Sequence, residues 1–134
     1  MSALAAALAL LSALLPPVAS GNAFHYERPG ALARVAAVRH MPVAWNRVTG
    51  LASVPDCGRV DVTRPWLVVA RWQDGSTSTL QVTDCSDPAD LPAQRRKGLV
   101  LEVDAGTARS HGWYWPPGPG KAPVMILGYG RVEP

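Results

Sequence analysis

Residues 66–85 read WLVVARWQDGSTSTLQVTDC, and this stretch decides the fold. Trp66–Trp72 joins branched and aromatic side chains, with Leu67, Val68, Val69 and Ala70 in a row, and predicts a strand covered on much of both faces. Gln73-Asp74-Gly75-Ser76 follows as a hairpin turn, with Asp-Gly its strongest element, because glycine takes the positive φ that a tight turn demands. Residues 77–83 form the partner strand. Alternation places Leu80, Val82 and Asp84 on one face, so an apolar stripe ends in a carboxylate. An acid at the mouth of an apolar face is one that desolvation can keep protonated near neutrality. The same stretch also reads as a plain turn, since Asp84 runs into Ser86-Asp87-Pro88.

The chain begins very differently. Residues 3–15 are an unbroken Ala/Leu run with one serine, too short to span a bilayer as a helix. Pro16-Pro17 and then Val18-Ala19-Ser20 follow, small residues at the spacing a signal peptidase uses, with a second possible cut after Ala23. Residues 1–23 are therefore read as a signal peptide and 24–134 as the mature domain; a buried N-terminal helix is the competing reading of the run. No cysteine follows the cleavage region to carry a lipid anchor, and no later segment has the length of a membrane span.

Export has a consequence for Cys57 and Cys85, the chain's two cysteines. In an oxidising compartment they read as one disulfide. Two cysteines make a poor metal site, and His25, His40 and His111 show no ligand spacing around them, so neither metal nor cofactor is expected. Net charge is +3. The run Arg95-Arg96-Lys97 reads as a solvated loop, or as attraction to an anionic cell wall; no nucleic-acid module signature is present.

The rest of the mature chain is rich in turn residues, with 12 glycines and 13 prolines across the whole sequence. Strands are predicted at 31–39, 49–54, Leu99–Val103 and 123–129, with a polar loop at 86–98. Asp104 is placed to cap a short helix over 105–111, which Gly112 closes. About six strands and one short helix make an all-β domain closed into a small barrel.

From residue 49 onward this order resembles the double-psi β-barrel domain of rare lipoprotein A and its expansin and barwin-like relatives. Gly50-Leu51-Ala52-Ser53 before Pro55 resembles the family's strand and proline turn. Leu67 to Ala70, Asp74-Gly75 and Leu80 to Asp84 resemble its hairpin closing on an Asp. Leu99 to Val103 with Ala108 and Gly112 resembles its late strand and helix, and Val124 to Leu127 its last strand.

The resemblance implies a groove that meets polysaccharide of the cell wall, peptidoglycan above all, and in some members lytic transglycosylase cleavage. Asp84 falls on the family's acid after the hairpin and is expected to donate the proton. Glu102 falls on the acid of the late strand and is expected to assist it, although its parity is opposite to Leu101 and Val103. Asp84 is followed by Cys85-Ser86-Asp87, where the transglycosylases have Arg-Gly-Pro. Val54 and Val100 stand where members carry histidine, so the alternative is a secreted glycan-binding or structural barrel without catalysis. Tyr114 and Trp115, in a Pro/Gly loop, are the candidates for stacking on sugar rings, while Trp113 is expected in the core. Asp87 and Asp90 read as solvated loop acids, and Asp56 as a turn cap or a neighbour of the same groove.

Overall fold

The computed structural model describes residues 17–132, so the Ala/Leu run assigned to targeting lies outside the described residues. In chain order the elements are strand β1 (Ala19–His25), helix α1 (Ala31–Val38), β2 (Gly50–Val54), β3 (Trp66–Trp72), β4 (Thr77–Cys85), α2 (Leu91–Arg96), β5 (Leu99–Val103), α3 (Ala105–Ser110) and β6 (Lys121–Arg131). The hairpin of β3 and β4 forms where the sequence predicts it, with Gly75 at φ 86° and Trp72 N–H donating to the Ser76 carbonyl at 2.8 Å.

The strands close in the order β1-β5-β2-β4-β3-β6, and β6 returns to β1. β1 runs parallel to β5 and β2 parallel to β4, while every other neighbour is antiparallel. Two parallel pairs interleaved in a closed six-stranded barrel are the double-psi arrangement. Closure leaves no strand edge exposed for pairing with another chain. Ala23, Ala52, Val68, Leu80, Val82, Leu101, Val103 and Ile126 all point inward and are fully buried.

Three expectations change. Residues 31–39 are not a strand: α1 occupies Ala31–Val38, and Leu32 and Ala36 form its buried contact. Their i,i+4 spacing lays one face on the barrel over β4 and β2, and Ala, Leu and Arg are strong helix formers. The first strand, predicted at 31–39, lies instead ahead of that helix. β1 begins at Ala19, and Ala23 is completely buried between β5 and β6, so a cut after Ser20 or Ala23 would fall inside the first barrel strand. Finally, the loop at 86–98 carries α2, entered through Asp87, whose carboxylate accepts from Ala89 N–H at 2.9 Å. Asp56 is likewise a turn cap, accepting from Gly58 N–H at 2.9 Å.

Cys57 and Cys85 are bonded, joining the turn after β2 to the end of β4. Among the described residues no helix is long and apolar enough to cross a membrane.

Candidate functional site

The site is organised by one irregularity in the β2–β4 pairing. Ala52 pairs with Val82, but Ser53 pairs with Asp84, so Thr83 is an extra residue on β4. Such a bulge resets the alternation of the strand beyond it. Leu80 and Val82 point into the barrel, and Asp84 turns outward beside Ser53, rather than sharing their face as strict period-2 reading expects. Across the other edge of β2, Ser53 pairs with Glu102. Glu102 lies between Leu101 and Val103, both fully buried, so it too faces outward. Asp84 and Glu102 therefore flank Ser53 on the outer face, two strand spacings or about 9–10 Å apart at Cα.

Tyr26 covers this row. It extends β1, its N–H donating to the Val103 carbonyl at 2.9 Å. By alternation its ring lies on the same face as Phe24, the partner of Glu102. Ser53, beside Tyr26, is only 2% exposed. Burial, and then the negative charge of Glu102, push the phenol up to about 12, with Asp84 and Asp104 adding to the effect. Tyr26 thus stays neutral at any working pH.

The carboxylates differ in their surroundings. Glu102 is pushed above the usual glutamate range, first by burial and then by the charge of Asp84. Asp84 is ion-paired: the Arg39 guanidinium donates to its Oδ1 at 2.9 Å, with 24% of the Asp84 side chain exposed. Arg39 is positioned because it ends α1, which packs on β4. The desolvated surroundings therefore belong to Glu102, and Asp84 beside it is paired with Arg39. Asp104 stands at the start of α3, but its carboxylate does not cap that helix. It accepts from Leu32 N–H at 3.3 Å and ties the start of α1 to the end of β5, and burial raises its pKa.

Tyr114 and Trp115 are not in contact with this row. They gather at the end of β1, where Trp115 N–H donates to His25 Nε2 at 3.2 Å and the His25 and Tyr114 rings stack at 4.8 Å. Arg109 lies over the Tyr114 ring at 4.4 Å. Trp115 is 59% exposed and free to stack on a ligand, whereas Trp113 is buried in the core, as expected. Among the described residues no cluster of His, Cys, Asp or Glu is arranged to hold a metal ion.

Sequence reasoning missed Tyr26 and Arg39. Tyr26 follows a segment read as part of a leader, and Arg39 was the end of a supposed strand. Ser53 is visible in the sequence as a strand residue, yet only the closed barrel puts it between two acids.

No protein-family model matches the chain, and no curated protein matches it. A solved structure is similar, that of apo-expansin from Clavibacter michiganensis, at 14% identity and TM-score 0.46. The likeness covers 86% of this chain and 50% of the expansin, so the chain spans about half that protein's length.

Proposed function

We propose that the outer-face row of Asp84, Ser53 and Glu102, with Tyr26 over it, is the working site of an exported domain that acts on cell-wall polysaccharide, peptidoglycan being the substrate class. The observation that carries the reading is the pairing of carboxylates in unlike surroundings: a half-buried Glu102 whose pKa burial and the charge of Asp84 raise, beside an Asp84 paired with Arg39. Glycosidic cleavage needs that asymmetry. Glu102 gives its proton to the departing glycosidic oxygen. Asp84 steadies the oxocarbenium-like sugar or accepts a proton, either from water or from a hydroxyl of the sugar itself. Tyr26 offers a neutral hydroxyl to the substrate, and Trp115 a ring face at the end of β1. The disulfide supports an oxidising compartment, and hence export.

A second reading has its own observation. Arg39 already occupies Asp84, and Val54 and Val100 provide no imidazole, which suits a barrel that binds glycan without cutting it. Incubation with purified sacculi separates the two. Soluble muropeptides released by the wild type and lost in Glu102→Gln support cleavage. Retention on sacculi with no product supports the binding module. Neither retention nor product refutes both.

A further inference from the structure

A second polar centre lies at the hairpin end of the barrel, on residues the carboxylate row does not use. Trp72 Nε1–H donates to Ser78 Oγ at 2.8 Å, and Ser78 Oγ lies 3.3 Å from His111 Nε2. The other imidazole nitrogen, Nδ1, lies 3.3 Å from Ser76 Oγ, which donates to Asp74 Oδ1 at 2.5 Å. The proton order follows from the ends of the chain. The indole can only donate and the carboxylate can only accept. Ser76 gives its hydrogen to Asp74, so its oxygen accepts from His111 Nδ1–H. Ser78 accepts from the indole and pairs with Nε2. The relay thus runs from Trp72 through Ser78, His111 and Ser76 to Asp74, with Ser76 N–H adding a second bond to Asp74 Oδ1 at 2.9 Å.

This relay forms one wall of a cavity of about 460 Å³ that Trp72, Asp74, His111, Trp113, Pro119 and Lys121 help to line. That volume lies within the usual range of small-molecule sites, about 300–1,000 Å³. Two charged groups in it are unspent. Asp74 Oδ2 has no hydrogen bond among the described residues, its nearest basic atom being His111 Nδ1 at 4.0 Å. Lys121 has no acidic partner among the described residues. Trp113, 5% exposed and with its indole N–H shielded from solvent, contributes an apolar wall.

The geometry points to a binding site for a zwitterionic amino-acid or short-peptide group in this cavity, with its ammonium on Asp74, its carboxylate toward Lys121, and its aliphatic part on the Trp and Pro walls. A simple anion would meet the fixed charge of Asp74, and a simple cation that of Lys121. A group carrying both charges satisfies both. The inference goes beyond the glycan reading and does not depend on it.

The test is a titration of the ¹⁵N-labelled full chain, read at the Trp113 indole N–H resonance. The probes are alanyl-alanine, its N-acetyl form, its C-terminal amide, and N-acetylglucosamine. Alanyl-alanine bound against the Trp113 wall should shift the resonance and saturate, and blocking either end should weaken binding about tenfold, the usual worth of a hydrogen bond to a charged group. Lys121→Met should erase the preference for a free carboxylate, and Asp74→Asn the preference for a free amine. Asparagine keeps the oxygen that accepts from Ser76 N–H, so the turn survives, and the spectrum itself reports folding. The proposal is overturned by no saturable shift up to about 10 mM. It is equally overturned if the capped dipeptides bind as well as the free one, or if N-acetylglucosamine saturates the site in their place.

Discussion

Replacing both cysteines, as Cys57→Ser/Cys85→Ser, isolates what the cross-link contributes. The bond closes a segment with a sequence separation of 28 residues. Cross-linking a loop of that length removes about 12 cal/mol/K of entropy from the unfolded chain in the loop-closure model, or about 3.6 kcal/mol at 25 °C. Cys57 is exposed and Cys85 half-buried, so the serine hydroxyls reach water and add little cost of their own. For a domain of this size each kcal/mol moves Tm by about 4 °C, which makes the expected fall about 15 °C. Urea unfolding followed by tryptophan fluorescence gives the comparison, with reduced wild type as the control for the substitutions. The unfolded variant is less constrained and exposes more surface, so its m-value should rise as its midpoint falls. A loss below about 1 kcal/mol with an unchanged m-value would refute the reasoning, because it would mean the bond does not restrict the unfolded ensemble.

Glu102 supplies a pH test with a definite sign. Its folded-state pKa is raised by burial and by Asp84, so its contribution to stability is intact below the ordinary glutamate range and is lost as pH rises through the folded value. Glu102→Gln should remove that fall, raise Tm at neutral pH relative to wild type, and cut any glycan cleavage about 10²–10⁴-fold; parallel pH–Tm curves for the two proteins would contradict it. Asp84→Asn takes away an ion pair and no packed volume, so stability should change by about 1 kcal/mol or less while cleavage fails; wholesale unfolding by circular dichroism would make Asp84 a structural residue only. A chain beginning at Phe24 lacks most of β1 and should show no cooperative thermal transition, whereas one beginning at Pro17 should melt cooperatively. Gly21→Ala checks the same strand: its Cβ would strike the Gly98 carbonyl and lie 2.8 Å from Val100 Cγ1, and stability should drop by about 1–3 kcal/mol.

The sequence by itself determined what local pattern can carry. Turn chemistry at Asp74-Gly75 and branched runs on either side specify β3 and β4, and the same logic finds β2, β5, β6 and the helix after Asp104. The pairing of Cys57 with Cys85 follows from there being two cysteines in a chain read as exported. Period-2 reading also puts Glu102 on the face opposite Leu101 and Val103, as the barrel has it. It failed where a residue's neighbours come from far along the chain. The stretch at 31–39 has no strong alternation to hold it extended, and the outer surface of β4 and β2 supplies the partner for Leu32 and Ala36 that makes it a helix.

β1 hid in a segment of small residues whose strand character comes from β5 and β6 on either side of it. The bulge at Thr83 belongs to the register between β2 and β4, not to either strand alone, and it turns Asp84 away from the stripe that Leu80 and Val82 form. Which acid is desolvated was likewise a tertiary matter. Glu102 is desolvated under residues from other strands and faces the charge of Asp84, while Arg39 reaches Asp84 only because α1 docks there. Dielectric and Coulomb energies depend on distances in space, and closing the barrel is what sets those distances.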